Sequence, residues 1–316
     1  MEKRKKTIAT HSGNFHADDA LSIYFLHNTN EFKDAKVVRT RDQSIIDNAD
    51  CVCDVGLIYD PEKRRFDHHQ VGFKETFADG NYPMASCGIV YKEFGKEINR
   101  KILEKNGRDI GEHSEYIYNK MYTKFVFEID CIDNGVQQIP PDATPLYEIR
   151  TGISTRISML NLDGTFEDAV NLIGKEYEEK LIRLFDSEIP AIEIAKEAYE
   201  SRFTVDASGK IVLFNEPCPA EPHLKNIEKE KNVPKTEQLL YIVSPRLNGN
   251  WSIKAIGTDR SFVLRKPLPY KGLRDEELSE QCGIPGGVFV HKNGFLSIFK
   301  TKDQAIQFAK LALNSP

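Results

Sequence analysis

Apolar and polar positions alternate along the first 200 residues in a pattern that predicts strands and helices in turn. A short apolar run at 7–10 predicts a buried strand, and apolar residues recurring every three or four positions after Asp19 predict a helix. Further strands are predicted at 35–40 and 51–56, with helices at 43–48, 85–94 and 114–133. Such alternation favours an α/β fold, a mostly parallel sheet with helices on both faces.

The end of this region predicts two more helices. An apolar stripe covers 166–184, and Pro190 lies where the first turn of a second helix would be. The helix predicted at 114–133 ends at Asn134 and Gly135, a frequent helix stop.

The pattern changes near residue 203 and predicts a smaller α+β domain with antiparallel strands. Asn-Gly pairs at 248–249 and 293–294 are hairpin signals. A capping box at Thr301 and Gln304 predicts the start of the final helix. The segment 215–237 is rich in Pro, Glu and Lys and is predicted to be an exposed loop. Strands are predicted at 211–214, 239–243, 251–255, 288–290 and 295–298. We expect a metal-binding catalytic domain at 1–190 and a substrate-binding domain at 200–316.

Composition and charge narrow the class of protein. The 316 residues carry a net charge of -5, so no global positive field attracts nucleic acid, and no apolar run is long enough for a membrane span. Six scattered cysteines in a chain of this size indicate reduced thiols. We expect an intracellular protein without membrane attachment or a visible transit peptide.

Candidate ligands for a metal occur where the first predicted strand ends and the first helix begins. The stretch HSGNFHADD places two histidines and two aspartates there. Ligands bind at the carboxyl ends of strands in open α/β sheets, and imidazole with carboxylate suits Mn, Fe, Zn or Mg. A helix-opening aspartate is more often a cap, and we assign Asp19 to that role.

Further ligands follow at other strand or helix ends: Asp54, then Asp67, His68 and His69, then Asp130 or Asp133. Each alone has a structural alternative, as a turn residue, a cap or a hydrogen-bonded core side chain. Together they supply the carboxylates and imidazoles of a binuclear centre, which neutralises a phosphoryl group and lowers the pKa of a bound water.

The Asp67-His68-His69 triplet resembles the signature of the DHH phosphoesterase superfamily. Within it, the chain closely resembles the melanocyte-proliferating-gene family, described as 3′–5′ RNA exonucleases. The resemblance extends from residue 10 to 295. It is carried by the stretches THSGNFHADDAL, VVRTRD, CDVGLIYDPEKRRFDHHQ, MYTKFVFEIDCIDNG, PLPYKGLRDEEL and CGIPGGVFVHKNGF.

The resemblance implies a role for each residue of the site. His11 and His16 would be terminal ligands of one metal, with Asp54 bridging to a second. The second metal would be completed by Asp18, His68 and Asp133, with Asp130 as the alternative to Asp133. His69 would donate to a phosphate oxygen, and Asp67 would orient the histidines. Of these, the catalytic set is Asp54, His68 and His69.

His11 and His16 replace carboxylates that many superfamily members carry at these positions, so Mn²⁺ is expected in preference to Mg²⁺. The second domain is expected to supply residues that bind the substrate. Arginine and glycine-rich turns suit phosphate recognition. The alternative for these arginines is a surface ion pair, which is favoured for Arg274 because Asp275, Glu276 and Glu277 follow it. The residues implied are Arg265, Lys266, Arg274, Gly286, Gly287 and His291.

The function implied is metal-dependent hydrolysis of single-stranded RNA, one nucleotide at a time from the 3′ end. Hydrolysis of small phosphoanhydrides or dinucleotides is the alternative, because the chain lacks an obvious basic stripe. A binding protein without activity is a second alternative. The oligomeric state stays open, a homodimer included, and so does the compartment, whether cytoplasm, nucleus or mitochondrion.

Overall fold

The computed structural model describes residues 4–78, 80–140, 142–219, 221–258 and 263–315. The chain divides into two compact units, one ending at Phe185 and the other beginning at Asp186. The structure is mixed α/β, with two five-stranded sheets and helices on both sides.

The first sheet has the strand order β2-β1-β3-β5-β4. Three pairs, β1 with β2, β1 with β3 and β3 with β5, are parallel, whereas β4 and β5 are antiparallel. The short β4–β5 pair was not predicted from the sequence. The strands are β1 (Thr7–Thr10), β2 (Lys36–Arg39), β3 (Cys51–Cys53), β4 (Tyr59–Asp60) and β5 (Arg65–Phe66).

Helices surround this sheet, and large apolar side chains such as Ile8, Phe25 and Tyr91 are buried in its core. Asp42 caps the second helix as predicted, its carboxylate accepting from the Ser44 amide at 2.9 Å. The helices are α1 (Ala17–His27), α2 (Gln43–Asn48), α3 (Ser86–Lys105), α4 (Ser114–Met121), α5 (Phe127–Asp133) and α6 (Ile153–Asp163). A seventh helix, α7 (Phe166–Glu200), begins in the first unit and ends in the second.

Two helix predictions need correction. The helix predicted at 114–133 is interrupted by a π-helical segment, Tyr122–Val126, between α4 and α5. The two helices predicted on either side of Pro190 form one helix, α7. A proline costs a helix one hydrogen bond and some bending, and burial on both sides of Pro190, at Leu184 and Ala191 for example, maintains the helix there.

The second unit contains the sheet β6-β7-β8-β10-β9, in which β6 and β7 are parallel and the other pairs antiparallel. The Thr301 capping box that begins its last helix is confirmed. The elements are α8 (Arg202–Val205), β6 (Ile211–Leu213), α9 (Glu221–Glu230), β7 (Tyr241–Pro245), β8 (Trp251–Ala255), α10 (Asp275–Cys282), β9 (Gly287–Val290), β10 (Leu296–Phe299) and α11 (Lys302–Asn314).

The prediction of an exposed loop at 215–237 is wrong, because α9 forms within it. Leu224 is fully buried against the second sheet, and Glu228 is buried with it. The charged residues of α9 other than Glu228 are at least partly exposed, so composition concealed the apolar contact of Leu224. Among the described residues, no helix has the length and apolar character needed to cross a membrane.

Candidate metal centre

The turn between β1 and α1 brings His11 next to Asp19. Asp19 Oδ1 accepts hydrogen bonds from the His16 and Ala20 amides at 2.8 and 2.9 Å, so the predicted cap is confirmed. The other oxygen, Oδ2, has a second role that the sequence did not predict. It lies 3.1 Å from His11 Nε2 and is buried, yet it has no hydrogen-bond partner of suitable geometry among the described residues.

Asp54 follows the last residue of β3 and connects the two sides of the centre. Its backbone is left-handed, with φ of 57°, a conformation that aspartate tolerates better than most residues. Asp54 Oδ2 lies 3.4 Å from His11 Nε2. Asp54 Oδ1 lies 3.8 Å from His68 Nε2 and 3.5 Å from His69 Nδ1. One carboxylate therefore faces histidines from two separate chain segments.

The Asp67 carboxylate is fully buried and arranges the segment that carries the two histidines. It accepts from the Leu57 amide at 2.6 Å, from the His69 amide at 3.0 Å and from His69 Nδ1 at 2.8 Å. Burial alone would raise the pKa of Asp67, but these hydrogen bonds outweigh it and lower the pKa. The His69 pKa is raised, chiefly by the hydrogen bond to Asp67. The side chain of His69 remains 54% exposed.

His68 lies on the opposite side of Asp54 from His11, next to the end of α5. His68 Nε2 is 3.0 Å from Asp133 Oδ2. Asp18 belongs to the same group, because ligand atoms of Asp18, His68 and Asp133 all lie within 4.8 Å of one another. Asp18 is oriented by the start of α3, where the Cys87 and Ser86 amides donate to its oxygens at 2.6 and 3.2 Å.

Asp130 has different contacts from Asp133. Its carboxylate accepts from the Ala85 amide at 2.9 Å and from the Tyr122 hydroxyl at 2.7 Å. A side chain on Gly88 would collide with it, so glycine permits this close approach. Burial raises the pKa of Asp130 to about 7. Asp130 therefore fixes the start of α3, whereas Asp133 faces His68.

His16 is exposed and lies outside these groups. Its ring centroid is 5.6 Å from that of His11. Among the described residues, the groups of closely spaced ligand atoms around Asp54 comprise His11 with Asp19, and His68 with His69. The structure thus brings Asp19, which we had assigned as a cap, closer to His11 and Asp54 than it brings His16.

The centre concentrates negative charge in a buried space. Burial raises the pKa of Asp18 well above its ordinary value, and the charges of Asp54 and Asp133 add to this effect. Burial likewise raises the pKa of Asp54, against the opposing effect of the His11 hydrogen bond. The pKa of His11 is raised to about 10 by the Asp19 and Asp54 carboxylates. A bound cation would relieve the repulsion among these carboxylates.

The donor atoms fit divalent metal ions. Asp19 Oδ2 and His68 Nε2 are both buried, 3.1 Å from His11 Nε2 and 3.0 Å from Asp133 Oδ2 respectively, and not aligned to hydrogen-bond with them. Such close but misaligned contacts are expected when the side chains point toward a shared cation and not toward one another. Mixed carboxylate and imidazole ligands suit Mn²⁺, Fe²⁺ or Zn²⁺.

The residues expected to bind substrate have partners within the second unit. Arg265 is 11% exposed and donates to Glu228 Oε1 at 3.0 Å and to the Leu239 carbonyl at 2.8 Å. Lys266 donates to the Leu313 and Ser315 carbonyls at 2.8 and 2.6 Å. Both cations thus anchor neighbouring elements.

The other expected substrate residues lie near β9. The Arg274 guanidinium is 5.7 Å from the centroid of the Phe289 ring, and within the described chain Arg274 forms no ion pair with Asp275, Glu276 or Glu277. Gly286 has φ of 78°, and the Gly287 amide donates to Ser279 Oγ at 3.1 Å. His291 Nδ1 accepts from the Asn293 amide at 3.1 Å.

Comparison with known proteins identifies the family. The family profile MYG1_exonuc, described as "Uncharacterised protein family (UPF0160)", matches residues 7–313. "MYG1 protein" of Dictyostelium discoideum is 39% identical, with 98% of this chain and 96% of that protein covered. The chain belongs to the MYG1 exonuclease family.

Other MYG1 relatives are similar over most of their length. "MYG1 protein YER156C" of Saccharomyces cerevisiae is 36% identical over 98% of this chain and 96% of its own. "MYG1 exonuclease" of Homo sapiens is 35% identical over 97% and 85%. The solved structure "pGpG-specific phosphodiesterase - PggH from Vibrio cholrae" covers 98% of this chain and 97% of its own. It is 13% identical with a TM-score of 0.24, too low to show a shared fold.

Two residues that the structure places beside the candidate centre were not expected there from the sequence. Asp19 was assigned only a local role, although the adjacent pair Asp18-Asp19 was a signal that both could reach the site. Arg39 was not singled out, although it lies next to the end of a predicted strand, inside the stretch VVRTRD. It lies 3.8 Å from Asp19 Oδ2 through its Nη2 atom.

Proposed function

We propose that this protein is a metal-dependent 3′–5′ RNA exonuclease that uses two divalent ions, preferably Mn²⁺, and releases nucleoside monophosphates. The observation that carries the proposal is the position of Asp54, whose two oxygens face His11 on one side and His68 and His69 on the other. The family name and the exonuclease names of its mammalian members support the type of reaction.

One group of ligands would comprise His11, Asp54 and Asp19, with His16 next to it. The other would comprise Asp54, His68, Asp18 and Asp133. When bound, divalent ions supply neutralisation of phosphate charge and activation of water for hydrolysis. Asp54 would contribute one oxygen to each group, as its orientation allows.

His69 would bind the substrate phosphate. Its Nδ1 atom donates to Asp67 at 2.8 Å, and this hydrogen bond raises the His69 pKa, which favours the protonated ring. The side chain is 54% exposed, so the Nε2–H of that ring can donate to an anionic oxygen. A donor fixed before the substrate arrives stabilises charge that develops on the phosphate during hydrolysis. Asp67 would keep the ring in this orientation.

The second unit would bind the RNA strand. Arg274, which is not in an ion pair with its acidic neighbours, and the turn at Gly286 and Gly287 are the candidates with the fewest competing roles. Arg265 and Lys266 remain candidates whose charges already anchor α9 and the end of α11. His291 completes the proposed set.

A substrate panel tests the proposal. Single-stranded RNA labelled at its 5′ end is incubated with Mn²⁺, with Mg²⁺ or with a chelator, alongside DNA of the same sequence and inorganic pyrophosphate. We expect a ladder of products shortened from the 3′ end, fastest with Mn²⁺ and absent with chelator. Asp54→Asn provides the inactive control. Cleavage of pyrophosphate or a dinucleotide alone would establish the phosphoanhydride alternative and exclude the exonuclease.

A further inference from the structure

Arg39 lies beside the turn that carries the first ligands. It is the last residue of β2, which runs parallel to β1, and it is paired in register with Thr10, the residue before His11. The carboxyl ends of parallel strands lie at one edge of a sheet, so this register directs β2 to the same edge as the His11 turn.

The Arg39 guanidinium contacts three parts of the chain. Nη2 donates to the Gly13 carbonyl at 2.9 Å and lies 3.8 Å from Asp19 Oδ2. The guanidinium carbon is 4.5 Å from the centroid of the Phe166 ring and 5.4 Å from that of Phe15. The planar, permanently charged group of arginine suits stacking and ion pairing at once.

We propose that Arg39 is a positioning residue for the metal centre, holding the Gly13 turn and directing Asp19 Oδ2 toward His11. Asp19 Oδ1 is already occupied by the two amides that it caps, so only Oδ2 is available to the centre. Oδ2 lies 3.8 Å from the Arg39 guanidinium and 3.1 Å from His11 Nε2, so Arg39 is next to the one Asp19 oxygen that faces the centre. The inference rests on the proposed metal-dependent function.

The hydrogen bonding of Arg39 argues against a role in stability alone. Its Nε atom is buried and has no hydrogen-bond partner among the described residues. An unsatisfied buried donor costs about 1–3 kcal/mol. Arg39 therefore contributes less to the stability of the fold than a fully paired arginine would. Its contact with Asp19 offers a different reason for its position, namely orientation of the Asp19 carboxylate.

Arg64 offers a matched control in the same unit. Its guanidinium is also close to carboxylates, 3.0 Å from Glu31 and 2.9 Å from Glu93, and lies 5.1 Å from the centroid of the Phe94 ring. Neither of these carboxylates belongs to the metal centre. Arg64→Gln thus removes an arginine with similar interactions elsewhere.

The test measures Mn²⁺ binding by calorimetry for the full chain and for Arg39→Gln, Arg39→Lys and Arg64→Gln, with thermal unfolding of each. We expect Arg39→Gln to weaken Mn²⁺ affinity by about 10–100-fold, the usual effect of losing a residue that orients a ligand. Arg39→Lys, which keeps the charge without the planar stacking, should give an intermediate loss. Arg64→Gln should lower the unfolding temperature but leave affinity unchanged.

Wild-type affinity in both Arg39 variants would overturn the inference, as would an equal loss of affinity in Arg64→Gln. If Arg39→Gln does not fold, the Mn²⁺ affinity of Arg39→Lys relative to the wild type decides the question. RNA hydrolysis is measured separately. A wild-type protein that binds Mn²⁺ without cleaving RNA contradicts only the exonuclease proposal. If the wild type cleaves RNA and the Arg39 variants bind Mn²⁺ with unchanged affinity, only the role of Arg39 is contradicted. If the wild type binds no Mn²⁺, both proposals are contradicted.

Discussion

Asp133 Oδ2 lies 3.0 Å from His68 Nε2, whereas Asp130, one helical turn earlier on α5, accepts hydrogen bonds from Ala85 and Tyr122. Asp133→Asn should therefore abolish hydrolysis and weaken Mn²⁺ binding by about 10-fold or more while the protein stays folded. Asp130→Asn should have the smaller effect on affinity. Calorimetry with Mn²⁺ compares the two variants. A larger loss in Asp130→Asn would assign the ligand to Asp130, and equal losses would contradict the distinction between the two residues.

Asp130 should instead control how stability depends on pH. Its pKa is raised by burial from 3.8 to about 7, so the folded chain holds this proton more tightly than the unfolded chain. The stabilisation is present at low pH and is lost as pH rises through that interval, by about 1.4 kcal/mol for each pKa unit.

Urea unfolding of metal-free wild type and Asp130→Asn across this pH interval measures the effect. We expect the wild type to lose stability relative to the variant as pH rises, by an amount on the order of a few kcal/mol at most. A difference that is independent of pH would show that Asp130 is not protonated in the folded chain.

Strand ends allowed most of the centre to be anticipated, because parallel strands deliver their final residues to one edge of a sheet. His11, Asp18, Asp54 and His68 were singled out at strand ends or helix starts, and Asp133, with Asp130 as its alternative, at the end of a predicted helix. Local pattern could not distinguish the two oxygens of Asp19, since one satisfies neighbouring amides and the other faces His11 only in the folded chain. The π-helical segment before α5 could not be predicted from the sequence either, because the apolar positions of residues 114–133 are compatible with one continuous α-helix.

Gly88 should be essential to the geometry around Asp130. A Cβ atom there would collide with the Asp130 carboxylate at the start of α3, where the Ser86 and Cys87 amides orient Asp18. We expect Gly88→Ala to destabilise the fold by about 1–3 kcal/mol and to weaken Mn²⁺ binding.

Gly152 is the control for that substitution, since a Cβ atom there has nothing within 4 Å and the backbone φ is -61°. Thermal unfolding and Mn²⁺ titration of Gly152→Ala should match wild type closely. Wild-type behaviour of Gly88→Ala would mean that α3 can shift without disturbing Asp18.

We expect loss of the Arg265–Glu228 ion pair to lower the stability of the fold more than it lowers the affinity for substrate. The side chains are 11% and 2% exposed, and removing one partner of a buried ion pair costs about 3–5 kcal/mol. Arg265→Met should destabilise by this order, and Arg265→Met with Glu228→Gln should recover much of the loss. Urea unfolding measures both, and an undisturbed Arg265→Met that has lost RNA affinity would assign Arg265 to substrate binding.

The position of Asp54 between two histidine groups is tested most directly by anomalous diffraction from crystals grown with Mn²⁺, recorded at the manganese absorption edge. We expect two anomalous peaks roughly 3.5–4 Å apart, one beside His11 and one beside His68, with a carboxylate oxygen of Asp54 bonded to each. Peaks located elsewhere, or no peak bonded to Asp54, would contradict it.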